Sequence, residues 1–226
     1  MRLRLNRMEE NSGISPLAAV LAVIATFLLS LFLGAAFLIL FGYSFALISG
    51  EILLIVVPLG YMLYRRVDVG SYIRLEVKPR TILLGLAFGA FLFLFDLIVA
   101  AALTSVFGVS EVVEETNELF LTMSESLQGL LSLIVALSLA GVCEEFTFRG
   151  FLQNAINSRY SPKVALLLSS IVFALFHFDP QAVYTLSAFL MGLVLGYIYY
   201  RWRSYVVSVV AHATLNLIVL TIFLFV

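Results

Sequence analysis

Long apolar stretches divide this chain, and each ends at a short polar break. They run over about 14–42, 44–64, 81–107, 128–158, 162–178, 181–200 and 204–226. About 20 uncharged apolar residues are enough to cross a bilayer core as an α-helix. The pattern therefore predicts an all-α fold, a polytopic membrane helix bundle of about seven transmembrane helices. A break hidden in the long first stretch would make it eight. The first stretch far exceeds the apolar core of a signal peptide, about 7–15 residues, and is expected to be a retained span. The fourth begins apolar and ends polar, so its last turns are expected to leave the lipid. No gap is long enough for a soluble domain, so residues 1–226 are expected to form a single integral membrane domain.

The basic residues orient the bundle. Cytoplasmic loops hold the excess of Lys and Arg. With a cytoplasmic N-terminus and strict alternation, Arg2, Arg4 and Arg7 fall inside, as do Arg65, Arg66, Arg74, Lys78 and Arg80. Arg149, Arg159 and Lys163 fall on the inner side of the hairpin between the fourth and fifth helices, and Arg201 and Arg203 precede the last helix. These are all 13 Lys and Arg residues of the chain. The outer connection after the third helix carries Glu111, Glu114, Glu115, Glu118 and Glu125 instead. Its apolar residues Val112, Val113, Leu119, Phe120 and Leu121 suit an amphipathic surface helix or a solvated connector. One helix more or fewer would scramble this segregation. It predicts an N-terminus inside, a C-terminus outside and a multi-pass protein of the cell membrane.

Composition agrees. The chain is 62% hydrophobic and only 12% charged, about half the charge of an ordinary soluble domain. A net charge of −1 gives no argument for nucleic acid as a partner, and none is expected; the lipid bilayer is the expected surrounding. Cys143 is the only cysteine, so no disulfide forms within the chain. With no basic neighbour in sequence to lower its pKa, it is taken as a small packing residue.

Against that apolar background, ionisable residues within the spans stand out, because each costs about 2.5–3.5 kcal/mol at a helix centre. They are Glu51, Asp96, Glu144, Glu145, Arg149, His177 and His212. Glu145 and Arg149 are i,i+4 neighbours in the favourable acid-before-base order and are expected to pair. Glu144 points about 100° away and is left freer for chemistry. A helix-end ion pair alone would explain Glu145 and Arg149 but would leave Glu144 without a partner. His177 closes the run Phe173-Ala-Leu-Phe-His177. Counted from the hairpin turn between Tyr160 and Ser161, Glu144 and His177 are equally distant, one on each arm. Equal rise on antiparallel helices puts them at one depth. In the last helix His212 and Asn216 share a face. By itself this pair is as well explained as interhelical hydrogen-bonding glue. Glu51 and Asp96 suit either a cavity wall or a polar contact with a neighbouring helix. Gly192 and Gly196 fit close helix packing.

A carboxylate and two imidazoles can activate water in two ways. Glu144, His177 and His212 could ligate one divalent metal such as zinc with a position left open. Alternatively no metal is used: Glu144 acts as general base, His177 helps to hold the water, and His212 and Asn216 donate to the developing oxyanion.

The stretches Glu144-Glu145…Arg149, Phe173…His177 and His212…Asn216 resemble the EExxxR, FxxxH and HxxxN/D motifs of the CAAX protease and bacteriocin-processing family. This intramembrane group includes the Ras-converting CAAX prenyl endopeptidase. The resemblance covers about residues 125–220, the motif core; the first three helices match only as generic spans. It implies an intramembrane endopeptidase that acts on a membrane-anchored peptide or protein, including prenylated CAAX types, with a site opening toward the cytoplasm. It implies catalytic roles for Glu144, His177, His212 and Asn216, with Glu145 and Arg149 in support. The family has been described both as metalloproteases and as glutamate proteases, and the motifs fit either; the absence of HExxH tilts the choice to glutamate-activated water. The alternatives from other classes are a catalytically silent scaffold or bacteriocin-immunity protein, and an ion-coupled transporter. No related halves of the kind common in transporters occur in the chain.

Overall fold

A computed structural model describes residues 13–225; Arg2, Arg4 and Arg7 lie outside the described residues. All regular elements among the described residues are helical. In chain order they are α1 (Pro16–Phe41), α2 (Tyr43–Tyr64), the short α3 (Val69–Ile73), α4 (Pro79–Phe107), α5 (Glu111–Ser124) and α6 (Leu127–Glu144). α6 runs on without a break into a π-helical stretch, Glu145–Gln153, and a last turn, Asn154–Asn157. α7 (Pro162–Phe176), α8 (Val183–Trp202) and α9 (Tyr205–Phe225) follow. Among the described residues six helices are long and apolar enough to cross a membrane, and α7 is a shorter apolar helix of 15 residues. The protein is thus a multi-pass helical bundle. α1 is continuous, so the first apolar run supplies one span and no eighth helix arises from it.

The joints follow from local chemistry. Ser15 caps α1 with its side chain on the Ala18 amide, and Pro16 takes the first helical position, where its missing N–H costs nothing. Gly42 alone separates α1 from α2. Its φ of +79° lies in the region open to glycine and strained for other residues, and the chain reverses there. Ser161 and Pro162 start α7 in the way Ser15 and Pro16 start α1.

Small residues set the tightest packing. A Cβ on Gly85 would fall 2.5 Å from Val210 Cβ, and one on Gly89 2.4 Å from Thr214 Cβ, so α4 and α9 meet along an i,i+4 glycine pair. On α8, a Cβ on Gly196 would fall 2.6 Å from Leu166 Cδ1, which agrees with the packing role expected of Gly192 and Gly196. Large apolar side chains such as Leu31, Phe32, Leu83, Ile98 and Leu175 point outward, as suits a protein solvated by lipid.

The polar end of the fourth span departs from expectation. Its residues do not emerge from the bundle: every side chain from Glu145 to Gln153 is buried among the other helices. Thr147 donates to the Leu54 carbonyl of α2, Arg149 to Gly192 of α8 and Gln153 to Gly196 of α8. Carbonyls on neighbouring helices thus meet side chains that would be costly in lipid. Asn154 extends the network to the Tyr72 carbonyl and the Tyr199 hydroxyl, which ties α3 under the inner end of the bundle.

Candidate active site

Glu144 is the last residue of α6 before the π-helical stretch, and the next two residues of the motif turn to different partners. Glu145 is fully buried and its Oε1 lies 2.9 Å from Arg149 Nη1, the pairing expected from their spacing. The same oxygen lies 3.1 Å from His212 Nδ1 of α9. The Arg149 guanidinium is also stacked over Phe173, 4.3 Å from the ring centroid. The arginine therefore pairs with a carboxylate on one side and an aromatic face on the other.

Glu144 is only 8% exposed, and its Oε2 has no hydrogen-bond partner. Two imidazoles face it. His177 Nε2 is 3.9 Å from Glu144 Oε1, and His212 Nε2 is 3.8 Å from Glu144 Oε2. Each imidazole is fixed through its other nitrogen. His177 follows the last residue of α7, and its Nδ1 sits 2.9 Å from the Phe173 carbonyl. A carbonyl only accepts, so that Nδ1 carries the hydrogen and the neutral ring presents a lone pair at Nε2. His212, with Nδ1 on the Glu145 carboxylate, is arranged the same way. The spacing of Phe173 and His177 thus has a concrete use: one turn of helix lets the imidazole bond back to the carbonyl four residues earlier.

These groups lie in a cavity of about 710 Å³. Asn216 lines it with its amide nitrogen 3.2 Å from the Leu137 carbonyl. An amide nitrogen carries two hydrogens, so one can anchor the side chain and the other can serve a ligand. The structure thus brings together Glu144, Glu145, Arg149, His177 and His212, with Asn216 on the same wall. Glu51, Asp96, Tyr184 and Ser187 also line the cavity, so Glu51 and Asp96 are part of its wall, and Asp96 makes a polar contact with a neighbouring helix as well. Asp96 accepts from Ser187, and Tyr184 meets the His177 ring edge-on at 5.5 Å. Cys143 is buried and is not among the cavity-lining residues.

Asp179 gave no signal in the sequence reading. Its carboxylate accepts from the Gln181 and Tyr184 amides, while its own N–H donates to Thr185 Oγ1. Thr185 in turn donates to the His177 carbonyl. The turn after α7 is therefore organised around the histidine. An aspartate directly before proline at the end of an apolar run was the available cue.

A bound metal was one of the two expected schemes. The oxygen-to-nitrogen gaps of 3.8 and 3.9 Å exceed the separation of about 3.3 Å between ligands on a tetrahedral zinc with bonds near 2.0–2.1 Å. Among the described residues, no three His, Cys, Asp or Glu are grouped closely enough to hold a metal ion. The arrangement does not fit a metal, and no step below passes through one.

The cavity extends to α5 at one end of the bundle. Its lining includes Leu47 to Leu54 of α2, Asp96 of α4, Leu133 to Glu144 of α6 and Asn216 to Phe223 of α9, and it reaches past the middle of the bundle to Phe148, Leu195 and His212. Thr116 and Asn117 of α5, both exposed, form part of the rim. α5 is the acidic outer segment, and it is a helix with Val112, Val113, Leu119 and Phe120 half-buried. On the side toward the basic loops Phe151 is fully buried.

A buried glutamate pair beside an arginine thus faces histidines from two further helices. Residues 126–218 match the family described as Type II CAAX prenyl endopeptidase Rce1-like, a stretch that holds all of these residues. The UPF0177 protein YxdF of Lactococcus lactis subsp. lactis (strain IL1403) is 31% identical over 88 residues. The match covers 39% of this chain and 45% of that protein, so the chain spans less than half the length of this relative. No solved structure matches.

Proposed function

We propose that the protein is an intramembrane endopeptidase that hydrolyses a peptide bond of a membrane-associated substrate with water activated by Glu144. The observation that carries this is the unpartnered Glu144 carboxylate, held in a cavity against two imidazole Nε2 atoms. Water seated between Glu144 and His177 gives a proton to the carboxylate as its oxygen attacks the peptide carbon. The carbonyl π-electrons move onto oxygen, and His212 and Asn216 hydrogen-bond that oxyanion. His212 donates to it from Nε2 only with a proton there as well as on Nδ1. The C–N bond then breaks, and the proton held by Glu144 passes to the leaving nitrogen. The products are a carboxylate and an amine. Glu145 and Arg149 position the machinery without touching substrate.

A second cavity, about 410 Å³, supports a substrate with an apolar portion. It lies between α1 and α7, its wall is wholly apolar, and it shares Phe27, Phe176 and Phe178 with the first cavity. A lipid-borne or membrane-embedded segment could rest there while its peptide lies against Glu144.

The test is cleavage of a lipid-anchored peptide library by purified protein in detergent or lipid. Glu144→Gln, His177→Ala and His212→Ala should each remove turnover while the melting transition persists. Activity surviving in all three variants would overturn the assignment, and no cleavage by the parent protein would favour a silent scaffold.

A further inference from the structure

The cavity has a charge preference and a side, and neither follows from hydrolysis itself. Among the described residues three carboxylates line it, Glu51, Asp96 and Glu144, and no Lys or Arg does. Glu51 Oε2 is buried without a hydrogen-bond partner, as is Glu144 Oε2. Buried carboxylate oxygens with no partner are expensive, and a cationic ligand would relieve that cost. Toward the rim the sign stays the same. Glu111, Glu114, Glu115 and Glu118 are exposed on α5, beside the rim residues Thr116 and Asn117. The connections on this side, residues 108–126 and 177–182, contain no Lys or Arg. Every basic residue from Arg65 to Arg80 and from Arg159 to Arg203 lies at the opposite ends of the helices, as the element order requires. By the rule that basic loops stay in the cytoplasm, the rim faces away from it.

We propose that the occupant is a cationic peptide segment that reaches Glu144 from the non-cytoplasmic face, with Asp96 and Glu51 meeting its Lys or Arg. The inference takes from the proposed function only that the occupant is a substrate. Its path runs past the acidic rim, where the negative potential concentrates cations. The apolar walls then accept the rest of the segment.

Two measurements test it. The first uses Thr116→Cys at the rim and Ser158→Cys at the exposed turn before α7, with the parent protein and its buried Cys143 as the blank. A membrane-impermeant maleimide should label Thr116→Cys in intact cells and Ser158→Cys only after lysis. The reverse pattern would put the cavity on the cytoplasmic side and overturn the inference. The second measures binding of three membrane-soluble peptides, identical but for a central Lys, Gln or Glu, to the Glu144→Gln protein. The Lys peptide should bind about tenfold tighter than the Gln peptide, and the Glu peptide weakest. Asp96→Asn and Glu51→Gln on that background should erase the difference. Equal binding of the three peptides would overturn the inference without any further substitution. Selective binding of the Lys peptide with no cleavage by the parent protein would instead sink the protease assignment and leave the charge preference standing.

Discussion

His212 Nδ1 lies 3.1 Å from Glu145 Oε1, the oxygen that also pairs with Arg149. One fully buried carboxylate therefore serves both a structural cation and an imidazole that faces Glu144. Replacing it separates the two duties. Glu145→Gln leaves Arg149 buried without its counter-charge, a loss of about 3–5 kcal/mol in comparable pairs, and a lower melting temperature in detergent should report it. Glu145→Gln combined with Arg149→Met removes the unpaired charge and should recover most of that stability. Turnover should stay down by about a hundredfold or more, since the imidazole has lost the carboxylate that orients it. Recovery of activity along with stability would show that Glu145 acts only through Arg149.

The turn after α7 makes a second prediction. Asp179 holds the Gln181 and Tyr184 amides, and Thr185 links that turn to the His177 carbonyl. Asp179→Ala removes both acceptors and should cost about 2 kcal/mol, with turnover reduced because His177 is no longer held opposite Glu144. Asp179→Asn keeps one acceptor oxygen and should lie between the two. A thermal melt and a cleavage rate on each variant suffice; a full rate with a lowered melt would limit the turn to a stabilising role.

What could be read from the sequence follows from what is local. Helix limits came out within about two residues because each apolar run ends at Ser, Pro, Gly or a basic cluster. The approach of Glu144 to His177 was legible because two arms of one hairpin share a common origin for counting rise. The π-helical stretch was not, since Glu145–Gln153 has ordinary helical composition and the wider turn is imposed by packing. Nor was the burial of its polar side chains: their acceptors are carbonyls of Gly192 and Gly196 on α8, and a carbonyl leaves no mark in a sequence. The Glu145–His212 contact joins distant positions whose helix rotations are free when the helices are apolar on every face. The same freedom kept Glu51 and Asp96 undecided between the cavity wall and a lipid-shielded contact.

Acid should loosen the end of the bundle that carries α3 before the site. Asp68 caps α3, with its carboxylate accepting from the Ser71 hydroxyl and amide. The bond from the Ser71 side chain, then that from its amide, holds the Asp68 carboxyl below the usual aspartate value. A lowered folded value means the cap is at full strength above the unfolded value of about 3.9. It is lost as pH falls through the lowered folded value. Hydrogen exchange at the Ser71 amide should therefore show protection that declines over that acid range in the parent protein. In Asp68→Asn the same protection should be independent of pH once the intrinsic exchange rate is divided out. A parent profile as flat as that of the variant would remove the cap from the account.

The spacing at Glu144 leads to a prediction about metals. Its oxygens stand 3.9 and 3.8 Å from the His177 and His212 nitrogens, wider than the ligands of one zinc but within reach of a bridging water, whose hydrogen bonds span about 2.7–3.2 Å each. Neither imidazole needs an ion to hold it, because Phe173 and Glu145 already fix their Nδ1 atoms. Purified protein dialysed against a strong chelator should keep its cleavage rate, and its melting temperature should not move. Elemental analysis of the dialysed sample should find well under one metal per chain. A rate that vanishes on chelation and returns with zinc in a one-to-one titration would show that the three side chains close around an ion, and Glu144 would then be its ligand rather than the base.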